Sequence, residues 1–176
     1  MANVPMPDQG RSNSAGAAPI DLAWRYPDPN TNLTVYLLVA PPQRNTVFDP
    51  RGLHWSLSWE VRQNVWRHVN VLTHRQPNQP SPNPRYIYFG PLTKTGGDGT
   101  LQTVKIIVGN MSLAMRQRIE ALAWSVPVMY PNGQWNCQDW LIDLLGRMRN
   151  EGLIDDQTLR TVIGAARDAW DSDKAK

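Results

Sequence analysis

Cysteine is nearly absent from this sequence: Cys137 is the only one in 176 residues. A single thiol excludes an internal disulfide framework and a Cys-rich zinc site, and it fits a reducing compartment. Histidine is almost as scarce. Only His54, His68 and His74 accompany the cysteine, and His68 and His74 are spaced neither as strand neighbours nor along one helix turn, so a metal site is disfavoured and no cofactor is expected. Long apolar runs are missing too. The longest, Val35 to Ala40, is far short of the roughly 20 residues a membrane helix needs. The opening MANVPMPDQGRSNSAGAAP lacks the basic segment and apolar run of a secretory signal. These absences predict a soluble cytoplasmic protein with no membrane partner. Runs of like charge are also lacking: 18 basic and 15 acidic residues leave a net charge of +3. Arg62, Arg67, Arg75 and Arg85 are dispersed, as on a solvated face, and no nucleic-acid partner is expected.

What the chain does have is enough apolar residues, 41%, for one domain with a substantial core. Residues 1–19, rich in Pro, Gly, Ser and Asn, bury too little apolar surface to offset ordering entropy, so they read as a disordered, dispensable tail. Residues 20–176 then form the single domain. Its eight Trp serve either as core or as stacking platforms.

Strand patterns come first along the chain. LTVYLLV (33–39) is β-branched and aromatic, preceded by the turn-rich PDPNTN and stopped by Pro41 and Pro42. HWSLSW (54–59) alternates, with His54, Ser56 and Ser58 on one face and Trp55, Leu57 and Trp59 on the other. WRHVNVL (66–72) puts His68 and Asn70 opposite Val69 and Val71. After a proline-rich loop, YIYF (86–89) and LQTVKIIV (101–108) give two more strands around the turn signal KTGGDGT. Helices follow: Ser112 caps one through Ala123, and residues 155–176 read as a capped amphipathic helix with a charged end.

The lone thiol lies at the start of another helix. In PNGQWNCQDWLIDLLGRMRN, Asn136 is a good N-cap and Asp139 supplies an acidic first turn, so Cys137 is the first helical residue. Unpaired N–H groups there favour a thiolate and can hold an oxyanion, which predicts a reactive thiol of lowered pKa. The alternative is a small buried hydrophobe on the side of the helix that carries Trp140 and Leu141. A nucleophile needs a base, and His54 heads a strand over which this helix could pack. An orienting group is needed in turn, either Asn70 or His68, with the amide preferred because it does not titrate. Gln134 or Gln138 could add an oxyanion donor.

His54-Trp55 on an early strand and Asn136-Cys137-Gln138-Asp139-Trp140 opening a later helix resemble the circularly permuted papain-like superfamily. Its members include lecithin:retinol acyltransferase-like proteins and NlpC-type cysteine hydrolases. The likeness runs from about residue 33 to residue 152 in order of elements. It implies an α+β fold, with an antiparallel sheet of about five strands packed against the Cys-bearing helix. It also implies a cysteine hydrolase or acyltransferase acting on an amide, ester or thioester of a small-molecule or peptide acyl substrate. Cys137 would attack, His54 would move the proton and Asn70 would orient it. Two features depart from the pattern. Gln138-Asp139 stands where the acyltransferases have Glu-His, and their apolar anchoring tail has no counterpart, so a membrane lipid is not the expected substrate. A non-catalytic binding protein on the same scaffold, with Trp55 and Trp140 in a Trp-rich cleft, is the alternative.

Overall fold

A computed structural model of the chain describes residues 3–11, 17–42, 48–74 and 84–171. Among the described residues seven strands and four α-helices follow in order: β1 Leu33–Val39, β2 Trp55–Arg62, β3 Val65–Val69, β4 Leu72–His74, β5 Arg85–Ile87, β6 Leu92–Thr95, α1 Asp98–Leu101, β7 Val104–Met111, α2 Leu113–Ser125, α3 Cys137–Asn150 and α4 Asp156–Asp168. Five strands form one antiparallel sheet in the order β6-β3-β2-β1-β7, and β4 pairs with β5 in a second, two-stranded sheet. The fold is therefore α+β, with the five-stranded antiparallel sheet expected from the sequence.

Alternation divides the main sheet into two unlike faces. Val35, Leu37 and Val39 of β1 and Trp55, Leu57 and Trp59 of β2 point into a core completed by Ile119 of α2, Trp140, Leu141 and Leu144 of α3, and Val162 of α4. An antiparallel sheet can bury one face this way and leave the other polar. The β2–β3 hairpin turns at Asn64, which takes φ 57°, a left-handed conformation that Asn tolerates. Its N–H bonds the Glu60 carboxylate at 2.7 Å.

The helices start where their caps predict. Asn136 Oδ1 accepts from Gln138 N at 2.8 Å and Asp139 Oδ2 accepts from Asn136 N at 2.9 Å, a reciprocal cap that makes Cys137 the first residue of α3. Ser112 caps α2 and Asp155 caps α4. One buried charge ties the turn before β1 to α2. Arg116, fully buried, meets Asp28 at 2.7 Å and donates to the carbonyls of Pro29, Thr31 and Met111, so its donors are satisfied, as burial of a guanidinium requires.

Four details differ from the sequence reading. The strand expected over 66–72 ends at Val69, and the chain leaves the main sheet so that Leu72–His74 pairs with Arg85–Ile87. YIYF supplies that small sheet, while Leu92–Thr95, inside and before the turn signal, forms the edge of the large one beside β3. The strand expected at 101–108 runs instead from Val104 to Met111, because residues 98–101 coil into α1. Residues 3–11, assigned by composition to a disordered tail, lie against the domain. Met6 is buried in the core, its N–H bonds Val128 O at 2.7 Å, and Tyr88 N bonds Gln9 O at 3.1 Å. One buried methionine and backbone pairing with the 128–130 segment give this stretch contacts that its composition does not advertise. Residues 12–16 and most of the proline-rich loop, with Arg75, fall outside the described residues. Among the described residues, no helix is long and apolar enough to cross a membrane.

Candidate functional site

The sheet separates the residues that the sequence reading grouped together. Cys137, Gln138, Trp55 and Trp140 are on the helix-covered face, whereas His54, His68 and Asn70 line a cavity of about 350 Å³ with Leu38, Ser56 and Lys94. Leu38 belongs to the cavity face because its neighbours Leu37 and Val39 enter the core. His54 shares that face with Ser56, in step with the alternation of β2, and its carbonyl accepts from Ala40 N at 2.9 Å. The expected Cys137–His54 pair is therefore not assembled. Its failure follows from the period of two: Trp55 faces α3, so the residue before it faces away.

On the helix side, Cys137 is only 5% exposed, and its thiol donates to Leu53 O at 3.9 Å. Burial pushes the thiol up to about 11, against the backbone N–H groups of Trp55, Cys137 and Gln138 and the Arg51 charge, which all favour the thiolate. The lowered pKa expected of a helix N-terminus is thus reversed by desolvation. Gln138 is not an available oxyanion donor, since its Nε2 donates to Pro50 O at 2.6 Å and Leu53 O at 2.9 Å. These bonds clamp the 50–53 turn over α3. Gln134 is exposed. Its carbonyl accepts from Arg51, which also bridges Asp139 at 2.7 Å. Trp55 and Trp140 are 1% and 0% exposed, so they form core and no Trp-rich cleft.

On the other side, the polar groups are bonded to one another. Asn70 Nδ2 donates to His54 Nε2 at 2.6 Å, the His–Asn contact anticipated from the sequence. Ser58 Oγ lies 2.8 Å from His68 Nδ1 and 2.7 Å from Ser56 Oγ. Two serines on β2 thus hold the imidazole of β3 through the cross-strand pair Ser58 and His68. Burial, with help from the nearby Lys94 charge, lowers both histidines to about 4. Both imidazoles are neutral at pH 7, and a neutral ring that accepts at one nitrogen carries its proton on the other.

Lys94 is the group the sequence reading missed. It sits on β6, half-buried, with its pKa lowered by desolvation. Among the described side chains no carboxylate pairs with it, and none lines the cavity. The segment beyond it, with α1, contributes Gly97, Gly99, Thr100 and Thr103. An added Cβ at Gly97 or Gly99 would meet nothing within 4 Å, and neither glycine takes positive φ. Packing and backbone conformation therefore do not require glycine there. KTGGDGT reads as a turn from its composition, and only the pairing of Lys94 with Trp66 across β6 and β3 shows its lysine to be a cavity residue. The polar alternation of HWSLSW was the one local signal for this site.

The chain matches no family model, no curated protein and no solved structure.

Proposed function

We propose that this protein binds a small organic anion, a carboxylate on a short apolar body, in the cavity between His54, His68, Asn70 and Lys94. The observation that carries this reading is the uncompensated Lys94 ammonium, held in a partly apolar cavity beside two neutral imidazoles with no described carboxylate near it. A half-buried charge without a counter-ion is costly unless a ligand supplies one. Lys94 pairs with the carboxylate, the hydroxyl and imidazole groups supply hydrogen bonds, and Leu38 and Ala40 face the apolar body. Binding is favoured over general-base catalysis because an imidazole titrating near 4 is a weak base at neutral pH. The permuted papain-like arrangement belongs to the same proposal. It is supported by β2, which starts directly after His54, preceding the helix of Cys137, and by α3 packing on the sheet. Binding of butyrate, benzoate and their amides, followed by ligand-observed NMR, tests the reading. The acids bind and the amides do not, and Lys94→Met abolishes binding while Cys137→Ala leaves it intact. Equal binding of acid and amide, or no effect of Lys94→Met, overturns it.

A cysteine hydrolase or acyltransferase is the second reading, favoured by the place of Cys137 at the N-terminus of α3, where the backbone of Trp55, Cys137 and Gln138 and the Arg51 charge all favour the thiolate. Such a setting suits a thiolate or an oxyanion. Catalysis requires the 53–55 segment to turn so that His54 leaves Asn70 and reaches the sulfur. An electrophilic ester or thioester that yields a covalent adduct on the wild type, but not on His54→Ala, establishes this reading. Absence of any adduct on the folded protein removes it.

A further inference from the structure

At the other end of β2 from the histidine cavity, a second concavity of about 480 Å³ is lined by Arg25, Tyr26, Arg62, Gln63 and Val65. Its two guanidiniums pack against the same aromatic ring. The Cζ atoms of Arg25 and Arg62 lie 5.7 Å and 5.9 Å from the Tyr26 ring centroid, a cation–π arrangement that offsets part of their mutual repulsion. What makes the pair unusual is the state of the carboxylates around it. Asp28, two residues beyond Tyr26, is taken by Arg116 and by Trp59 Nε1 at 3.0 Å. Glu60, two residues before Arg62, accepts from Asn64 N at 2.7 Å. Asp21 accepts from Thr93 N at 2.8 Å and Ala23 N at 3.1 Å. Each local acid is committed to another donor, and among the described residues neither arginine has an ion-pair partner.

We propose that this cleft is a phosphate site, in which the two guanidiniums grip a tetrahedral oxyanion and Tyr26 holds them in place. A planar fork of donors on each arginine matches the oxygens of a phosphate in a way that a point charge does not. The Gln63 side chain, exposed at the same rim, is a further donor. The site is independent of the carboxylate cavity, because Ser56 and Arg62 occupy opposite ends of the same strand.

The test uses the full chain with inorganic phosphate and pyrophosphate, followed by isothermal titration and by tyrosine ring resonances at about 150 mM salt, where diffuse surface attraction is screened. Both ligands bind saturably at concentrations below about 10 mM, pyrophosphate more tightly, and the Tyr26 resonances shift. Arg62→Ala and Arg25→Ala each weaken pyrophosphate at least tenfold. Arg62→Lys recovers only part of the loss, since lysine keeps the charge but not the fork. Lys94→Met leaves pyrophosphate binding unchanged. Binding that fails to saturate, that survives both arginine substitutions, or that is lost in Lys94→Met overturns the proposal. The last outcome assigns the anion to the histidine cavity instead.

Discussion

The two faces of the five-stranded sheet are built from alternate residues of the same strands, yet they obey different chemistry. On the α3 face, Trp55, Leu57 and Trp59 meet Trp140, Leu141 and Leu144, and the one cysteine is packed among them as a protonated thiol. On the opposite face, Ser56 and Ser58 bond to each other and to His68, and Asn70 bonds to His54, around a cavity that also holds a lysine with no ion-pair partner among the described residues. A polar residue type is therefore a poor guide to function until its face is known. The group with the best pedigree as a nucleophile has been made into core, while residues expected only to assist it form the open site.

The largest effect that would sharpen this contrast is on stability. Trp140→Ala empties a fully buried site facing Tyr88, whose ring lies 5.0 Å away, and should destabilise the fold by about 3–5 kcal/mol. Ser56→Ala, on the other face, should cost about 1 kcal/mol or less. Urea denaturation of both variants measures the difference. Comparable losses would mean that the polar face is as much a packing unit as the core.

Above the range in which carboxylates titrate, acid should act through the polar face. Both histidines titrate near 4 when folded, below the ordinary 6.5. The unfolded chain therefore binds protons that the folded one refuses. Stability is full above about 6.5, falls as pH drops from there towards 4, and levels off for these groups below that, at about 1.4 kcal/mol per pH unit for each. His54→Gln and His68→Gln should each flatten the decline in a series of melts between pH 7 and 4. A decline unchanged in both variants would place the acid sensitivity elsewhere.

Thiol chemistry reports on the other face. Iodoacetamide should react slowly with the folded protein, with a rate still rising above pH 9 and unaffected by His54→Ala. Arg51→Ala should push the titration of Cys137 higher, since the arginine charge favours the thiolate. A midpoint below the usual thiol range, moved by His54→Ala, would erase the distinction between the faces and restore the acyl-transfer reading.

Much of this division could be read from the sequence. HWSLSW states which residues share a face, and the Trp140, Leu141, Leu144 stripe of α3 can only pack on the apolar one, so the separation of Cys137 from His54 was implicit in two local patterns. The cap at Asn136 and the start of α3 were equally legible, because a reciprocal cap is a local arrangement. What stayed hidden was non-local. Lys94 becomes a cavity residue only through pairing with β3, and the Arg116–Asp28 bond links positions that no spacing rule connects. The desolvation that overrides the helix N-terminus at Cys137 depends on what covers it, here the turn at 50–53 held by Gln138.

The smallest expected change asks whether the polar face is shaped for a ligand or merely left unfilled. Gly99 lies in α1 at the rim of the cavity, with open space where a side chain would begin. Glycine in a helix loses more freedom on folding than alanine does, so Gly99→Ala should stabilise the fold by up to about 1 kcal/mol if the structure alone sets the choice. The same methyl group narrows a cavity of about 350 Å³, and carboxylate binding should weaken several-fold as the melting temperature rises. The two readouts move in opposite directions only if glycine is kept for the ligand. If the variant gains stability and binds butyrate or benzoate as the wild type does, the 97–99 segment is a spectator. The anion site then narrows to Lys94 and the residues of β2 and β3 around it.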